Sequence, residues 1–227
     1  MPGLVASQKW DDMATMPTTA KICGLSTPET LDAAVAGGAS HIGFVFFPPS
    51  PRHLSFDKAH GLAARVPDRV ARVGVFVDPD DALLDAAIAA GRLDVIQLHK
   101  VPPQRAAAVK AHTHLETWAA LAVKTRADLT PAAAFRGAAD RLLYDAKAPE
   151  GAKVPGGTGL RFDWQLLDGF AHPLPWILSG GLDAANVGEA IRVTGARLVD
   201  VSSGIEAAPG VKDVDKIAAF LKAVARS

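Results

Sequence analysis

The 227-residue chain contains one cysteine, Cys23, so no internal disulfide can form and the composition fits a reducing cytoplasm. Basic and acidic residues cancel at 24 each, and no basic run or basic-aromatic stripe departs from that balance. This excludes the charge footprint of a protein that binds nucleic acid or a membrane through a polybasic surface. No apolar stretch reaches the roughly 18 residues that a membrane span needs. Met1 to Thr18 lack a basic start followed by an apolar run, so they read as a disordered extension rather than a signal peptide. Metal-ligand spacings are missing as well. His112 and His114 stand one residue apart with no Cys, Asp or Glu set around them, and they read as non-ligands. After the first strand-like segment, the glycine fingerprint of an open dinucleotide-binding sheet is replaced by Cys23-Gly-Leu-Ser-Thr-Pro28.

What the chain does have is 49% hydrophobic residues and a repeated order of elements. Strand-like segments lie near 19–24, 41–47, 71–77, 94–99, 115–121, 141–145, 175–179 and 197–202. Helical patterns fall between them, near 28–37, 56–66, 80–90, 103–111, 131–138, 162–169, 184–194 and 211–225, with Asp80, Thr130-Pro131 and Asp183 as starting signals. Eight strand-helix units without a long linker predict one domain over 19–227, an α/β fold closed into a (β/α)8 TIM barrel. The longest unpatterned region, Ala146 to Gly159, reads as an active-site loop.

In such a barrel the chemistry projects from the C-terminal strand ends. Those ends offer Cys23, Arg52 in the Phe47 to His53 loop, Asp78, Gln97 with His99, Lys124, Asp145, Ser179-Gly180-Gly181 and Ser202-Ser203-Gly204. Alternation along a strand puts Lys21 beside Cys23, Gln97 beside His99, Leu143 beside Asp145 and Asp200 beside Ser202. Lys21 and Asp200 then form an internal ion pair. Gly180-Gly181 and Ser203-Gly204, at successive strand ends, suit a phosphate bound by backbone N–H groups with help from the helix expected near Ala184. Gly156-Gly157-Thr-Gly159 closes over the same pocket. Proline-rich Phe47-Pro-Pro-Ser-Pro51 stiffens the loop that carries Arg52, whose guanidinium suits a planar carboxylate.

Taken together, Lys21-Ile-Cys-Gly-Leu25, Phe47-Pro-Pro-Ser-Pro-Arg52, Gly74-Val-Phe-Val77, Gln97-Leu-His99, Leu142-Leu-Tyr-Asp-Ala146, Gly156-Gly-Thr-Gly159, Ser179-Gly-Gly-Leu182 and Asp200-Val-Ser-Ser-Gly-Ile-Glu206 resemble the phosphoribosylanthranilate isomerases. The resemblance runs from about Ala20 to the C-terminus. It implies an Amadori rearrangement in tryptophan biosynthesis, acting on a small phosphoribosyl substrate without a redox or metal cofactor. Cys23 matches the family's base and Asp145 its acid. Arg52, Gln97, His99, Gly156, Gly157, Gly180, Gly181, Ser203 and Gly204 match substrate-binding positions, with Arg52 holding the anthranilate carboxylate. Transient association with other tryptophan-pathway enzymes is a further expectation. For the chemistry, a carboxyl must keep its proton while a thiol loses one. Burial is expected to favour neutral Asp145, while Lys21 and the phosphate loops favour the Cys23 thiolate.

One departure is Lys100, where the family commonly has glycine after Gln-Leu-His. Two other readings stand beside the first. The histidine-pathway isomerase acts on a similar aminoaldose through a two-carboxylate site, and Cys23 argues against it. A silent phosphate-binding partner of another tryptophan enzyme has no use for a Cys/Asp pair.

Overall fold

The computed structural model describes residues 17–152 and 154–227. The extension expected over 1–18 therefore falls, as far as Met16, outside the described residues. At its other end Thr18 is buried and its hydroxyl donates to the Ala196 carbonyl, so packing already includes Thr18.

Eight parallel strands close in chain order: β1 Thr19–Cys23, β2 His41–Val45, β3 Ala71–Val77, β4 Val95–His99, β5 Glu116–Val123, β6 Arg141–Ala146, β7 Trp176–Leu178 and β8 Leu198–Val201. Closure comes from β8 pairing with β1, in a register that sets Lys21 against Asp200. Strand alternation fills the interior in layers. Val73, Val95, Trp118, Leu143, Ile177 and Leu198 form one apolar cluster, and Cys23, Val45 and Val75 form another. Outward-facing strand residues join the helices in the main core, where Ile22, Phe44, Phe76, Leu98, Leu142 and Phe220 are almost wholly buried.

Among the described residues six α-helices form the outer layer: α1 Pro28–Ala36, α2 Phe56–Ala63, α3 Asp81–Gly91, α4 Pro103–Thr113, α5 Val187–Thr194 and α6 Val214–Val224. Asp80 caps α3 as its position in the sequence predicts, its carboxylate accepting from the Leu83 N–H at 2.8 Å. Among the described residues no helix is long and apolar enough to cross a membrane.

Four expected helices differ, the one over 184–194 only in beginning at Val187. The one predicted over 131–138 is a 3-10 segment, Arg126–Phe135, because Pro131 in its middle removes an N–H and blocks regular α-helical bonding. That predicted over 162–169 is a single 3-10 turn, Trp164–Leu167, followed by Gly169 at φ +58°. The last begins at Val214 rather than 211. Before it, β9 Glu206–Ala208 and β10 Val211–Lys212 pair antiparallel around Gly210, which turns at φ +81°.

Candidate active site

The C-terminal strand ends surround a cleft of about 740 Å³, part of it open to solvent. Cys23, Arg52, Gln97, His99, Asp145, Gly156, Gly157, Gly180, Gly181 and Ser203 all line it. Gly204, adjacent to Ser203 in the turn after β8, is not among the lining residues. Asp78 and Lys124, also at strand ends, are not among the lining residues.

Cys23 ends β1 and is 7% exposed. Room for its sulfur comes from Gly43 on β2. A Cβ there would lie 2.8 Å from Cys23 Sγ and 3.2 Å from Lys21 Cε. Nothing in the local sequence singles out Gly43, since its role depends on the β1–β2 register. Burial pushes the thiol up from its ordinary value, against the pull of the Lys21 ammonium and, more weakly, Lys212. The expectation of a thiolate favoured by its surroundings is thus corrected for this form of the site: desolvation outweighs the cations.

Asp145 behaves as expected. Burial, reinforced by the Asp200 carboxylate, raises it to about 7 against the Ala146 N–H, Lys21 and Ser179. Its Oδ1 accepts from Ala146 N at 2.9 Å. Two glycines permit the carboxyl to sit there: a Cβ at Gly156 would collide with Oδ2, and one at Gly180 would lie 3.1 Å from Oδ1.

Beneath both groups Lys21 Nζ donates to Asp200 Oδ1 at 2.8 Å, and Ser179 Oγ donates to Asp200 Oδ2 at 3.0 Å. The ion pair read from strand alternation is therefore present. Although burial alone would lower Lys21, its partners Asp200 and Cys23 leave the ammonium raised.

On β4, Gln97 Nε2 and His99 Nε2 are 2.9 Å apart. Burial, with Lys21 nearby, lowers His99 to about 4, so its ring is neutral near pH 7. With the Gln97 amide donating, His99 carries its proton on Nδ1. Gln97 Oε1 is then a buried acceptor with no partner among the described residues, and it belongs to a cleft-lining side chain. The next residue, Lys100, has φ +57°, the left-handed conformation that glycine takes without strain.

Arg52 is committed more fully than sequence suggests. Its Nε and Nη2 donate to Glu206 Oε1 and Oε2 at 2.7 and 2.8 Å, and Nη2 also reaches the Gly157 carbonyl at 3.0 Å. Glu206 lies 154 positions away and was not recognisable as a partner.

The glycine-rich ends make a second polar wall. After β8 the residues Ser203–Ile205 form a 3-10 turn, closed by Ile205 N donating to Ser202 O and Glu206 N to Ser203 O. Those bonds leave the Ser203 and Gly204 N–H groups at the turn's N-terminus. Even a methyl at Gly204 would strike the Leu182 carbonyl, while Gly181 sits at φ +62° against Leu160 O. The helix expected near Ala184 begins at Val187 instead. Asp183 Oδ1 accepts from the Ala185 and Asn186 N–H groups before it.

Residues 20–223 match the family described as N-(5'phosphoribosyl)anthranilate (PRA) isomerase. The N-(5'-phosphoribosyl)anthranilate isomerase of Paracoccus denitrificans (strain Pd 1222) is 54% identical over 207 residues, covering 91% of this chain and 96% of that protein. Among solved structures, the phosphoribosyl anthranilate isomerase of Thermotoga maritima matches with a TM-score of 0.80 at 36% identity, covering 91% of this chain and 98% of that one. A phosphoribosyl anthranilate isomerase in complex with reduced 1-(o-carboxyphenylamino)-1-deoxyribulose 5-phosphate matches at 0.78 and 33% identity, over 91% and 98% of the two chains.

Proposed function

Since the chain belongs to the N-(5'-phosphoribosyl)anthranilate isomerase family, whose activity serves tryptophan biosynthesis, we propose that its cleft catalyses the Amadori rearrangement with Cys23 as base and Asp145 as acid. The substrate is the aminoaldose N-(5-phosphoribosyl)anthranilate and the product 1-(2-carboxyphenylamino)-1-deoxyribulose 5-phosphate. The observation that carries this reading is the placement of Cys23 and Asp145 in one cleft, with Asp145 raised to about 7.

Asp145 gives its proton to the furanose ring oxygen, the C1–O bond breaks, and the nitrogen lone pair forms the C1 iminium. That cation acidifies the C2 proton, which the Cys23 thiolate takes. The resulting enolamine tautomerises to the ketose by protonation at C1 and loss of the O2 proton. The reactive arrangement is thus a thiolate with a protonated carboxyl, one proton shared between two groups. Lys21 supports the first and Asp200 the second.

Arg52 receives the anthranilate carboxylate at one end of the cleft. The phosphate is held at the other by backbone N–H groups of Gly181, Ser203 and Gly204, with Gly180 allowing close approach, while Gly156 and Gly157 bring the substrate-covering loop against Asp145 and Arg52. Gln97 and His99 face the ribose between them, with Gln97 Oε1 as a hydroxyl acceptor. Holding both ends keeps C2 between acid and base. We assign this catalytic domain to 18–227, one residue earlier than the sequence suggests because Thr18 is packed, and, from the lone cysteine, the enzyme to the cytoplasm.

The test is a purified-protein assay for loss of phosphoribosylanthranilate, with Cys23→Ala and Asp145→Asn alongside. Turnover by the unmodified chain that both substitutions abolish supports the assignment, and turnover surviving both would remove it.

A further inference from the structure

Arg52 is held by a buried carboxylate, which a buried ammonium holds in turn, and neither group is among the residues lining the cleft. Glu206 takes the Nε–Nη2 side of the guanidinium, and Nη2 uses its second hydrogen on Gly157 O. Of the five guanidinium N–H donors, this leaves the two on Nη1. A Cβ at Gly157 would come within 2.5 Å of Nη1, so that nitrogen faces the loop that roofs the cleft.

The second group is Lys212 of β10, whose side chain is wholly buried. Its Nζ donates to Glu206 Oε1 at 2.8 Å, to Ser202 O at 2.8 Å and to Ser202 Oγ at 3.2 Å. Lys216 Nζ fixes the Glu206 carbonyl at 2.7 Å. The turn around Gly210 makes this arrangement. It folds β10 back on β9 and brings Lys212 beside Glu206.

Charge explains why both groups are present. An Arg52–Glu206 pair alone is neutral and has little attraction for a substrate anion. With Lys212 the trio carries one net positive charge, and a single carboxylate on Nη1 completes it. In a buried site this balance counts strongly, because an uncompensated charge there is costly.

We propose that Glu206 and Lys212 are positioning residues for recognition of the substrate carboxylate: Glu206 fixes the face that Arg52 presents, and Lys212 keeps the site positively charged. This rests on the reading of Arg52 given above.

The experiment compares kcat and KM for N-(5'-phosphoribosyl)anthranilate and for the carboxylate-free N-(5'-phosphoribosyl)aniline. It uses the unmodified protein, Glu206→Gln, Glu206→Asp and Lys212→Met. The unmodified protein is expected to prefer the carboxylate-bearing substrate by about tenfold or more in kcat/KM. In Glu206→Gln and Lys212→Met that preference falls at least about fivefold, through a KM that rises more for the carboxylate-bearing substrate than for the carboxylate-free one. Glu206→Asp, which keeps the charge, recovers part of it. If either single variant fails to fold, the charge-balanced double variant Glu206→Gln/Lys212→Met replaces it, and its preference is also expected to fall because the guanidinium is no longer clamped. Variants that keep the full preference overturn the inference. No preference in the unmodified protein would instead overturn the Arg52 assignment beneath it.

Discussion

Lys21 and Asp200 face each other across the seam where β8 closes onto β1, paired in register with Nζ and Oδ1 2.8 Å apart. Lys21 has no solvent exposure, and Asp200 also accepts from Ser179. The pair joins the last strand to the first and sets the potential under the two proposed catalytic groups. Burial raises both groups; the ammonium partly offsets that rise at the Cys23 thiol, and the carboxylate adds to it at Asp145.

Lys21→Met leaves Asp200 as a buried carboxylate without its cation. The expected loss of stability is about 3–5 kcal/mol, measured by urea denaturation at pH 7. A loss under about 1 kcal/mol would mean that water or another group replaces the ammonium.

Cys23→Ser keeps the size of the side chain and removes an effective base. Its kcat is expected to fall at least about 100-fold while the urea midpoint changes little. Near-normal turnover would reassign the base.

For Asp145→Asn the loss in kcat should be of the same order, because an amide cannot donate the proton to the ring oxygen. Stability supplies a second readout. The folded value near 7 lies above the ordinary 3.8, so the native state holds a proton that the unfolded chain releases. That contribution is fully present below about pH 4 and is lost as pH rises through about 7. The unmodified protein is expected to lose stability across this window relative to Asp145→Asn, as read by urea denaturation at pH 5 and pH 8. Parallel curves would show that Asp145 titrates at an ordinary value.

Gly204→Ala drives a methyl into the Leu182 carbonyl and shifts the turn that carries the Ser203 and Gly204 N–H groups. Inorganic phosphate is expected to compete with substrate in the unmodified protein and to inhibit the variant at least about tenfold more weakly. Equal inhibition would place the phosphate elsewhere.

Much of this was legible along the chain. The order of eight strand-helix units follows from local periodicity, as does the shared face of Lys21 with Cys23 and of Leu143 with Asp145, because alternation in a strand needs only the strand itself. Asp80 as a cap is local in the same way. Even the raised Asp145 follows once a carboxyl is assigned to the end of an interior strand.

Other features needed the closed barrel. Pro131 marks a break, but only the packed backbone shows a 3-10 segment where a helix was expected. Gly43 matters because register sets it beside Cys23. Lys212 reaches Glu206, the partner of Arg52, through a small antiparallel turn that the pattern of 211–225 reads as helix. The rise in the Cys23 thiol, opposite to what its neighbouring lysine suggests, comes from desolvation, which no residue possesses until the strands enclose it. Sequence determined which groups the strand ends bring to the cleft. Tertiary structure decided their partners and charges, because burial and long-range pairing exist only after the chain has closed.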